Sequence, residues 1–536
     1  MQFDYVIVGA GSAGCVLAGR LSEDPAVRVC LLEAGQSDDS PLVRAPAGAA
    51  LMVPMKIRNW GFETVPQPGL NGRRGYQPRG KTLGGSSSTN AMVYIRGRAS
   101  DYDAWARPHS EGGYGCDGWS WQDVLPTFIK AEANERLGAP LHGKDGPLNI
   151  AELRTPSRFG QVFIEAARQA GLTEVDDFNT GDQEGVGRYQ VTQKGGQRMS
   201  AARAYLHPAM GRPNLTVLTG ATTLKVLLRE RRAVGVLVDH GGTVKEIAAA
   251  REVIVSAGAL QSPQVLMCSG IGPKAHLLEV GISPVVDSPA VGANLHDHVD
   301  YIINRRHATT ELFGMSFAGI INLFSEIGRY RREQRGKVTS NFAEVGGFVK
   351  TLPDLADPDV QFHFVIGMVD NHNRTRHLGH GYSLHSCVLN PKSRGSLRLT
   401  SADARDAPLI DPAFLTVRED IETLIRSFRL MRRILNAPAF APYRGRELYT
   451  EALREDDDAG IEQAIRERAD TIYHPVGTCR MGGDAGSVVD TRLKVRGVDG
   501  LRVVDASIMP ELISGNTNAP TIMIAERAVE AIRAGV

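Results

Sequence analysis

Three glycines near the start of the chain have the spacing of a phosphate-binding turn. Gly9, Gly11 and Gly14 follow an apolar run at residues 4–8. The first glycine permits a tight turn, the second lets the backbone approach a pyrophosphate, and the third allows close helix–strand packing. The N-terminus of the following helix would present its free N–H groups to the phosphates. Glu33 lies 19 residues beyond Gly14, where an acid accepts hydrogen bonds from ribose hydroxyls. The pattern predicts a bound dinucleotide and leaves NAD and FAD undecided.

A second glycine-rich stretch covers residues 80–90 and runs directly into the apolar segment 91–95. Glycines and small hydroxyl side chains let a backbone lie close to a flat ring and offer donors to its polar edge. A surface linker of this composition would be flexible and solvated, but linkers do not usually lead straight into an apolar segment. The stretch therefore favours a flavin.

One histidine lies in an otherwise uncharged, turn-rich segment near the C-terminus. His474 begins the sequence His-Pro-Val-Gly-Thr-Cys, and residues 514–521 open the last helix further on. A lone histidine is most often structural, so His474 becomes a candidate only because it accompanies the other motifs. A neutral imidazole, with an ordinary pKa of about 6.5, is suited to taking a proton from an alcohol.

Together with residues 214–226 and 256–259, these segments strongly resemble the glucose–methanol–choline (GMC) family of FAD-dependent oxidoreductases over nearly the whole chain. The resemblance implies an α/β fold (α+β overall), in which a Rossmann-type FAD-binding domain carries an inserted substrate domain built on an antiparallel sheet. It implies hydride transfer from a primary alcohol to flavin N5, with His474 as the general base and Asn518 holding the alcohol oxygen. Some members attach FAD covalently through a histidine in the 80–97 loop. Thr89 stands at that position here, so we expect non-covalent FAD.

The same resemblance assigns a set of residues to the cofactor. Some lie in the fingerprint turn (residues 9–14), in the loop expected to line the flavin, or at the start of the last helix. Others lie where the adenosine half and the ribityl chain of FAD are expected to bind. No metal site is predicted. The set is Gly9, Gly11, Ser12, Ala13, Gly14, Glu33, Ala34, Trp60, Leu83, Gly84, Gly85, Ser86, Asn90, Ala91, Met92, Val93, Thr223, Ala257, Gly258, Asp505, Ala506, Asn518, Ala519, Pro520 and Thr521.

A strand–turn–helix–strand unit must position the fingerprint, and residues 4–33 have that pattern. Further apolar strands at 252–256 and 501–504 lie far away in sequence, which predicts a discontinuous cofactor domain. Helical patterns appear at 160–171, 420–436 and 459–469, whereas the glycine- and proline-rich residues 40–140 suggest long ordered loops. We predict an FAD-binding domain of residues 1–150, 215–300 and 475–536, and a substrate domain of residues 151–214 and 301–474.

Composition narrows the class of protein. The 536 residues exceed what one core usually supports, and a formal net charge of +1 recommends no nucleic-acid partner. The six cysteines are far apart and include no C-x-x-C pair, which indicates reduced thiols in a cytoplasmic protein. The chain opens without a signal-peptide pattern, and no run of about 18 apolar residues is present. We expect a cytoplasmic protein, and a peripheral position on the inner face of the plasma membrane stays open.

Residues 313–337 bear on that question. An apolar helical face is followed by a basic cluster, and such a pair can lie on an anionic membrane. We favour the alternative that this helix packs on the core of the substrate domain. Residues 52–57 are likewise expected to be an ordinary packed loop rather than an apolar rim to the substrate entrance. The apolar residues of the helix are Phe313, Phe317, Ile320, Ile321, Phe324 and Ile327, and the basic ones are Arg329, Arg331, Arg332, Arg335 and Lys337.

The likeness within the family is greatest to the bacterial aliphatic-alcohol and polyethylene-glycol dehydrogenases, through residues 189–194, 339–344 and 390–395. It implies that electrons pass to a quinone or another non-oxygen acceptor. Two alternative activities within the family remain: that of a choline dehydrogenase, and that of an oxygen-using aryl- or furfuryl-alcohol oxidase. The presence of His474 and Asn518 argues against a binding module that has lost catalysis. His474 also argues against a light-driven fatty-acid decarboxylase on the same fold.

Overall fold

The computed structural model describes residues 2–535 and contains two large sheets. The first sheet has seven strands and is parallel except at one side. Its order is Leu215–Thr219, Val29–Glu33, Gln2–Val8, Thr243–Val255, Arg232–His240 and Ala221–Arg229, and Leu501–Val503 pairs with Thr243–Val255.

The parallel part of this sheet forms a ligand-binding edge. Gln2–Val8 and Val29–Glu33 are largely buried, which explains why both read as continuous apolar runs. Their register places Val8 beside Leu32 and Val255, so the carboxyl ends of three strands meet at one edge. In open α/β sheets ligands bind outside the carboxyl ends of the strands, and the glycine-rich turn begins there.

The second sheet is antiparallel and separates an apolar core from a cavity. Its order is Ala343–Val349, Val360–Val365, Gly379–Val388, Val299–His307 and Arg446–Glu447; Gly314–Met315 and Asp470–Thr471 pair at its margins. Side chains alternate between the two faces. Phe362 and Phe364 lie in the core with Leu384, whereas His363 and Val365 line the cavity.

Helices cover both sheets. Arg158–Gln169 contacts the strand Ala343–Val349, and Arg418–Leu435 contacts the strand Gly379–Val388. The C-terminal helix, Asn518–Arg533, packs against Ser12–Leu21. The remaining helices are Pro41–Arg44, Ala49–Met52, Ala99–Ala106, Trp121–Ala131, Ser262–Cys268, Lys274–Glu279, Phe317–Glu333 and Asp458–Arg468, with a π-helical turn at Ala202–Leu206. Short strands lie at Phe62–Glu63, Tyr76–Gln77, Glu132–Asn134, Leu148–Ile150, Gly185–Arg188, Gln193–Lys194, Gln197–Arg198, Ile271–Gly272, Val286–Asp287, Ser396–Arg398 and Leu409–Asp411.

The predicted fold class is confirmed: a Rossmann-type sheet with helices is combined with an antiparallel sheet. Separate apolar cores lie against them, one containing Val6 and Val253 and the other Phe163 and Tyr301. The first sheet draws its strands only from the segments assigned to the FAD-binding domain. The exact domain boundaries stay a prediction.

The interpretation of residues 40–140 as loops is wrong in part. Four helices lie within it: the short Pro41–Arg44 and Ala49–Met52, and the longer Ala99–Ala106 and Trp121–Ala131. The last of these begins with a capping box in which Ser120 accepts from the backbone of Asp123, and Asp123 accepts from the backbone of Ser120. Pro126 inside the helix and glycines just before it obscure the helical pattern in the sequence.

The preferred interpretation of residues 313–337 is also wrong. Phe317–Glu333 forms the predicted helix, but no residue of it is buried, so it does not pack on a core. The interpretation of residues 52–57 is right only for Met52, which is buried. Met55 is exposed and lines the cavity.

Across residues 2–535, no helix is long and apolar enough to cross a membrane. All six cysteines are unpaired and buried. Burial raises the pKa of each thiol above its ordinary value, as for Cys30 and Cys116, whose pKa values rise to about 12. These thiols are therefore protonated at neutral pH and unreactive.

Candidate active site

A cavity of about 790 Å³ extends from the carboxyl edge of the first sheet to the face of the second sheet. Most of the predicted site residues line it. Those that do are Gly9, Gly11, Ser12, Ala13, Glu33, Ala34, Trp60, Gly85, Ser86, Asn90, Ala91, Met92, Val93, Thr223, Ala257, Gly258, His474, Asp505, Ala506, Asn518 and Thr521.

Five predicted cofactor residues do not line the cavity: Gly14, Leu83, Gly84, Ala519 and Pro520. Gly14 serves the fold instead, because a Cβ there would lie 1.9 Å from the carbonyl oxygen of Gly9. The Gly84 N–H donates to the carbonyl of Ala10 at 2.7 Å and so fixes the glycine-rich loop against the fingerprint turn. Leu83, Ala519 and Pro520 are packed into the surrounding structure.

The fingerprint turn has space for a ligand at one glycine only. A Cβ on Gly9, whose φ is +96°, would lie 2.5 Å from the Ser256 carbonyl oxygen. A Cβ on Gly11 would meet that oxygen at 3.9 Å, an ordinary contact. The fold therefore needs glycine at position 9 but not at position 11. Gly11 faces the cavity, where a backbone without a side chain can approach a pyrophosphate.

Glu33 lies at the end of its strand and borders the cavity. Its carboxylate accepts from the Ala10 N–H at 3.0 Å and from the Gly35 N–H at 2.8 Å. Burial raises the pKa of Glu33 to about 7, although these two N–H groups and Lys81 act to lower it. Each carboxylate oxygen has a second lone pair, so the group can still accept from a ribose hydroxyl.

Two hydroxyl groups on the cavity wall lack a partner. Thr223 Oγ1 and Ser256 Oγ are buried and make no hydrogen bond, and both residues line the cavity at its dinucleotide end. Buried polar groups in native proteins are nearly always satisfied. These residues therefore fit the polar atoms of a bound dinucleotide. Ser256 was not among the predicted residues, although it directly precedes Ala257.

The catalytic candidate His474 follows the strand Asp470–Thr471 at the margin of the second sheet. Its backbone N–H donates to Asp297 Oδ1 at 2.8 Å. The Arg79 guanidinium donates to the carbonyl of Tyr473 at 2.9 Å. Asp297 and Arg79, from two other segments of the chain, thus fix the backbone that carries the imidazole.

A chain of hydrogen bonds sets the tautomer of His474. His298 Nε2 lies 3.0 Å from the carbonyl oxygen of Leu389, so it must donate there. A neutral imidazole has one donor nitrogen, and His298 Nδ1 is therefore an acceptor. It lies 3.0 Å from His474 Nδ1, which must carry the proton. His474 Nε2 is therefore unprotonated and acts as a hydrogen-bond acceptor.

Asn516 donates a hydrogen bond to that nitrogen. Its Nδ2 group is 3.2 Å from His474 Nε2, and its Oδ1 accepts from Gln361 Nε2 at 3.2 Å. The Gln361 contact orients the amide so that the NH₂ group faces the imidazole. His298, Asn516 and Gln361 were all missed as site residues, because nothing in the local sequence marks them as neighbours of His474.

Asn518 contacts the other end of the site. Its Oδ1 accepts from Ser12 Oγ at 2.7 Å, which joins the C-terminal helix to the fingerprint turn. The expectation that Asn518 partners His474 is therefore at odds with the geometry, which brings Asn516 to the imidazole. Asn516 precedes the helix and Asn518 is its first residue, and the sequence does not reveal which amide points at the base.

Burial keeps His474, His298 and His363 neutral, because it lowers the pKa of each. It lowers the pKa of His474 well below its ordinary value, and the positive charge that His298, His363 and Arg79 can carry lowers it further. Burial also lowers the pKa values of His298 and His363 to about 3. His363 lines the cavity with an unpartnered Nδ1, so it offers a further polar atom to a substrate.

Comparison with known proteins agrees with this geometry. Two family models described as GMC oxidoreductase match residues 3–300 and 391–525. The chain is 49% identical to an alcohol dehydrogenase [acceptor] of Pseudomonas putida, over 99% of this chain and 96% of that one. It is 41% identical to the mitochondrial choline dehydrogenase of Mus musculus, over 99% and 89%.

Among solved structures, an FAD-dependent oxidoreductase from Chaetomium thermophilum superposes with a TM-score of 0.87 at 27% identity, over 99% of both chains. The fit of the fingerprint turn and of the unpartnered hydroxyls to a dinucleotide agrees with this likeness. The chain belongs to the GMC oxidoreductase family, and it is an FAD-dependent enzyme acting on CH–OH donors.

Proposed function

We propose that the protein oxidises an apolar primary alcohol to an aldehyde and passes the electrons to a quinone or another non-oxygen acceptor. The observation that carries the proposal is the unprotonated Nε2 of His474 on the wall of a cavity that also holds the dinucleotide turn. Oxidation of an alcohol requires removal of a proton from its oxygen and of a hydride from its carbon. Bound FAD supplies the hydride acceptor, its N5 atom.

His474 takes the proton. Its Nδ1–H is committed to His298, so only Nε2 is available, and the lowered pKa keeps that nitrogen unprotonated at neutral pH. When Nε2 accepts the alcohol proton, the imidazolium donates through both nitrogens, and His298 Nδ1 already stands as acceptor for one of them. A general base of this kind contributes about 10²–10⁴-fold to a rate.

Asn516, rather than Asn518 as the family resemblance implied, orients the alcohol oxygen. Its NH₂ group lies beside His474 Nε2, so an alcohol oxygen that gives its proton to Nε2 can also accept from this amide. Holding the oxygen at two points aims the carbon-bound hydrogen in one direction. Asn518 instead supports the cofactor end through Ser12.

The lining of the cavity favours an apolar substrate. Most of the surface of the cavity as a whole is apolar. Beyond the dinucleotide end, Phe313, Phe342, Val365, Met368 and Ile472 contribute to it, and His363, His372, His377 and His385 lie among them. Within residues 2–535 the only carboxylates on the cavity wall are Glu33 and Asp505, both at the dinucleotide end, whereas Arg79 and Arg376 also line it. A quaternary ammonium substrate would find no negative partner, so we place choline second despite the 41% identity to a choline dehydrogenase.

The acceptor assignment rests on the relative from Pseudomonas putida, whose name specifies an acceptor. An oxygen-using alcohol oxidase is the alternative.

One experiment tests substrate and acceptor together. Anaerobic stopped-flow absorbance follows flavin reduction by a series of primary aliphatic alcohols, an aryl alcohol and choline, and the reduced enzyme is then mixed with oxygen or a ubiquinone analogue. We expect the fastest reduction with an aliphatic alcohol and reoxidation by the quinone at least about tenfold faster than by oxygen, a barrier difference of roughly 1.4 kcal/mol. Fastest reduction by choline would contradict the substrate class, and peroxide formation at the quinone rate would contradict the acceptor.

A further inference from the structure

The helix Phe317–Glu333, here called the outer helix, turns its apolar residues away from the protein. None of its residues is buried. Phe317 is 82% exposed and Phe324 71%, and Ile320 and Ile321 on the same side are also exposed. At 3.6 residues per turn these four side chains share one face. Soluble proteins rarely expose a contiguous apolar face of this kind without a partner for it.

The opposite face of the outer helix, which meets the protein, is polar. Asn322 Nδ2 lies 3.5 Å from the carbonyl oxygen of Thr310, and the Glu326 carboxylate accepts from the Lys337 N–H at 2.6 Å. Tyr330 places its hydroxyl in a buried position. The amphipathicity is thus the reverse of that in a helix that packs on a core, so the apolar face is built for contact outside the chain.

The apolar surface extends from the outer helix to the opening of the cavity. Met315 and Leu378 pair across a bridge, both are exposed, and Leu378 is 76% so. Leu51 and Met55, from another segment of the chain, are also exposed. Leu51, Met55 and Met315 also line the cavity. The cavity therefore opens within an apolar patch, and that patch together with the exposed face of the outer helix is called the apolar surface below.

Positive charge borders the apolar surface. Arg331 and Arg332 fall on the exposed face of the outer helix, two turns beyond Phe324, and both are exposed. The two carboxylates of the helix are engaged elsewhere: Glu326 accepts from the Lys337 backbone, and Glu333 pairs with Arg329 at 3.3 Å. An apolar face that ends in unpaired arginines matches an interface whose interior is apolar and whose head groups are anionic.

We propose that the apolar surface docks onto an anionic lipid bilayer, with the opening of the cavity against the lipid. A second copy of the chain would present the same arginines, whereas lipid head groups supply the opposite charge. If the proposed function is right, an apolar alcohol and a quinone dissolved in the bilayer reach the cavity without crossing water. The docking itself does not depend on that function, because it can be measured without turnover.

The test is co-sedimentation of the FAD-loaded enzyme with vesicles at low salt. Wild-type protein is expected to bind vesicles of phosphatidylcholine with phosphatidylglycerol and to bind pure phosphatidylcholine vesicles weakly. The double variant Phe317→Ser/Phe324→Ser should lower the partition coefficient at least about tenfold. Arg331→Gln/Arg332→Gln should remove the preference for phosphatidylglycerol, at about fivefold per charge. Neither pair lines the cavity, so flavin content and flavin reduction by a water-soluble alcohol should be unchanged.

Leu278→Ser is the matched control, because Leu278 is 58% exposed on a helix of the first sheet's domain. It should bind vesicles as wild-type does. Wild-type protein that stays in the supernatant with anionic vesicles overturns the proposal. The proposal is also overturned if the wild-type protein is a dimer and Phe317→Ser/Phe324→Ser makes it a monomer without changing vesicle binding. In that case a second copy of the chain would be the partner of the apolar surface. Failure of the alcohol and quinone assays with intact vesicle binding would count only against the proposed function.

Discussion

At the scale of single residues, the basicity of His474 depends on a carbonyl oxygen that it does not touch. The Leu389 carbonyl fixes the proton on His298 Nε2, and that choice fixes the proton on His474 Nδ1. Position and protonation are thus set by different contacts, since Asp297 holds the backbone of His474 while His298 sets its tautomer.

Removal of the imidazole should eliminate general-base catalysis without changing the fold. His474→Ala is expected to keep FAD and to reduce it about 10²-fold more slowly, or slower still. Because burial lowers the pKa of His474 well below its ordinary value, the nitrogen is unprotonated throughout the neutral range. The wild-type reduction rate should therefore be flat there and fall only at distinctly acidic pH, where Nε2 becomes protonated. Stopped-flow pH profiles of both proteins check this, and a His474→Ala rate near the wild-type value would rule the mechanism out.

The tautomer chain makes a separate prediction about His298. His298→Leu removes the acceptor of the His474 Nδ1 proton and should slow flavin reduction about tenfold or more. His298→Gln should restore much of that loss, because its amide can accept from His474 and donate to the Leu389 carbonyl. Since a merely structural effect would follow side-chain packing rather than hydrogen bonding, both variants are compared for melting temperature and for the acid limb of the pH profile. Equal rates for the two variants would contradict the chain.

The two asparagines of the last motif should separate into different phenotypes. Asn516→Ala leaves His474 Nε2 without its neighbour and should slow reduction about tenfold or more at unchanged FAD content. Asn518→Ala removes the acceptor of Ser12 Oγ and should weaken FAD binding about tenfold with a smaller effect on the reduction rate. Fluorescence titration of FAD and stopped-flow reduction measure the two effects. The reverse pattern would return the orienting role to Asn518.

These residue-level assignments show where sequence reasoning ends. His474 could be predicted because its motif is local, but His298 reaches it from 176 residues away. Gln361 contacts Asn516 across 155 residues. Contacts between strands of a sheet depend on register and on which face a side chain takes, and neither is visible in a motif. Asn516 and Asn518 are the same residue type two positions apart, so the sequence could name the pair without assigning the roles.

At the scale of elements, the fingerprint turn gives the sharpest distinction between folding and binding. Gly11→Val adds a branched side chain whose Cβ meets only the Ser256 carbonyl oxygen, at 3.9 Å, and which extends from a residue that lines the cavity. The variant should therefore fold but fail to hold FAD, and purify colourless. Gly14→Ala would place its Cβ 1.9 Å from the Gly9 carbonyl oxygen and should lower the yield of folded protein. Gly211→Ala is the control, because nothing lies within 4 Å of its added Cβ. Circular dichroism and the flavin spectrum report on the two properties, and a yellow Gly11→Val protein would contradict this account.

Element prediction succeeded where amphipathic periodicity and burial agree. The expected helices at 160–171, 420–436 and 459–469 correspond to Arg158–Gln169, Arg418–Leu435 and Asp458–Arg468. The outer helix has equally clear periodicity, yet its apolar face points outward. Periodicity identifies a face and does not say what covers it, so only tertiary structure could decide between a core and an external partner.

At the scale of the whole molecule, the cavity is shared by the two sheets. The fingerprint turn comes from the first sheet, and His363 and Val365 come from the second. A ligand that fills this cavity contacts both parts of the protein and binds only when both are folded and in place. Binding of that kind stabilises the native state by mass action, by about 2.7 kcal/mol at a hundredfold excess over the dissociation constant.

Removal of FAD should therefore be possible and should destabilise the entire molecule. Thr89 offers no imidazole for a covalent bond to the flavin, so acid precipitation should release intact yellow FAD into the supernatant. Apoprotein prepared under milder conditions should melt at least several degrees below the loaded enzyme in calorimetry, and added FAD should restore the higher transition. Gly11→Val provides the control, because FAD should not shift its melting temperature. Yellow colour retained in the acid pellet would show covalent attachment, and an apoprotein as stable as the loaded enzyme would show that the cofactor does not couple the two sheets.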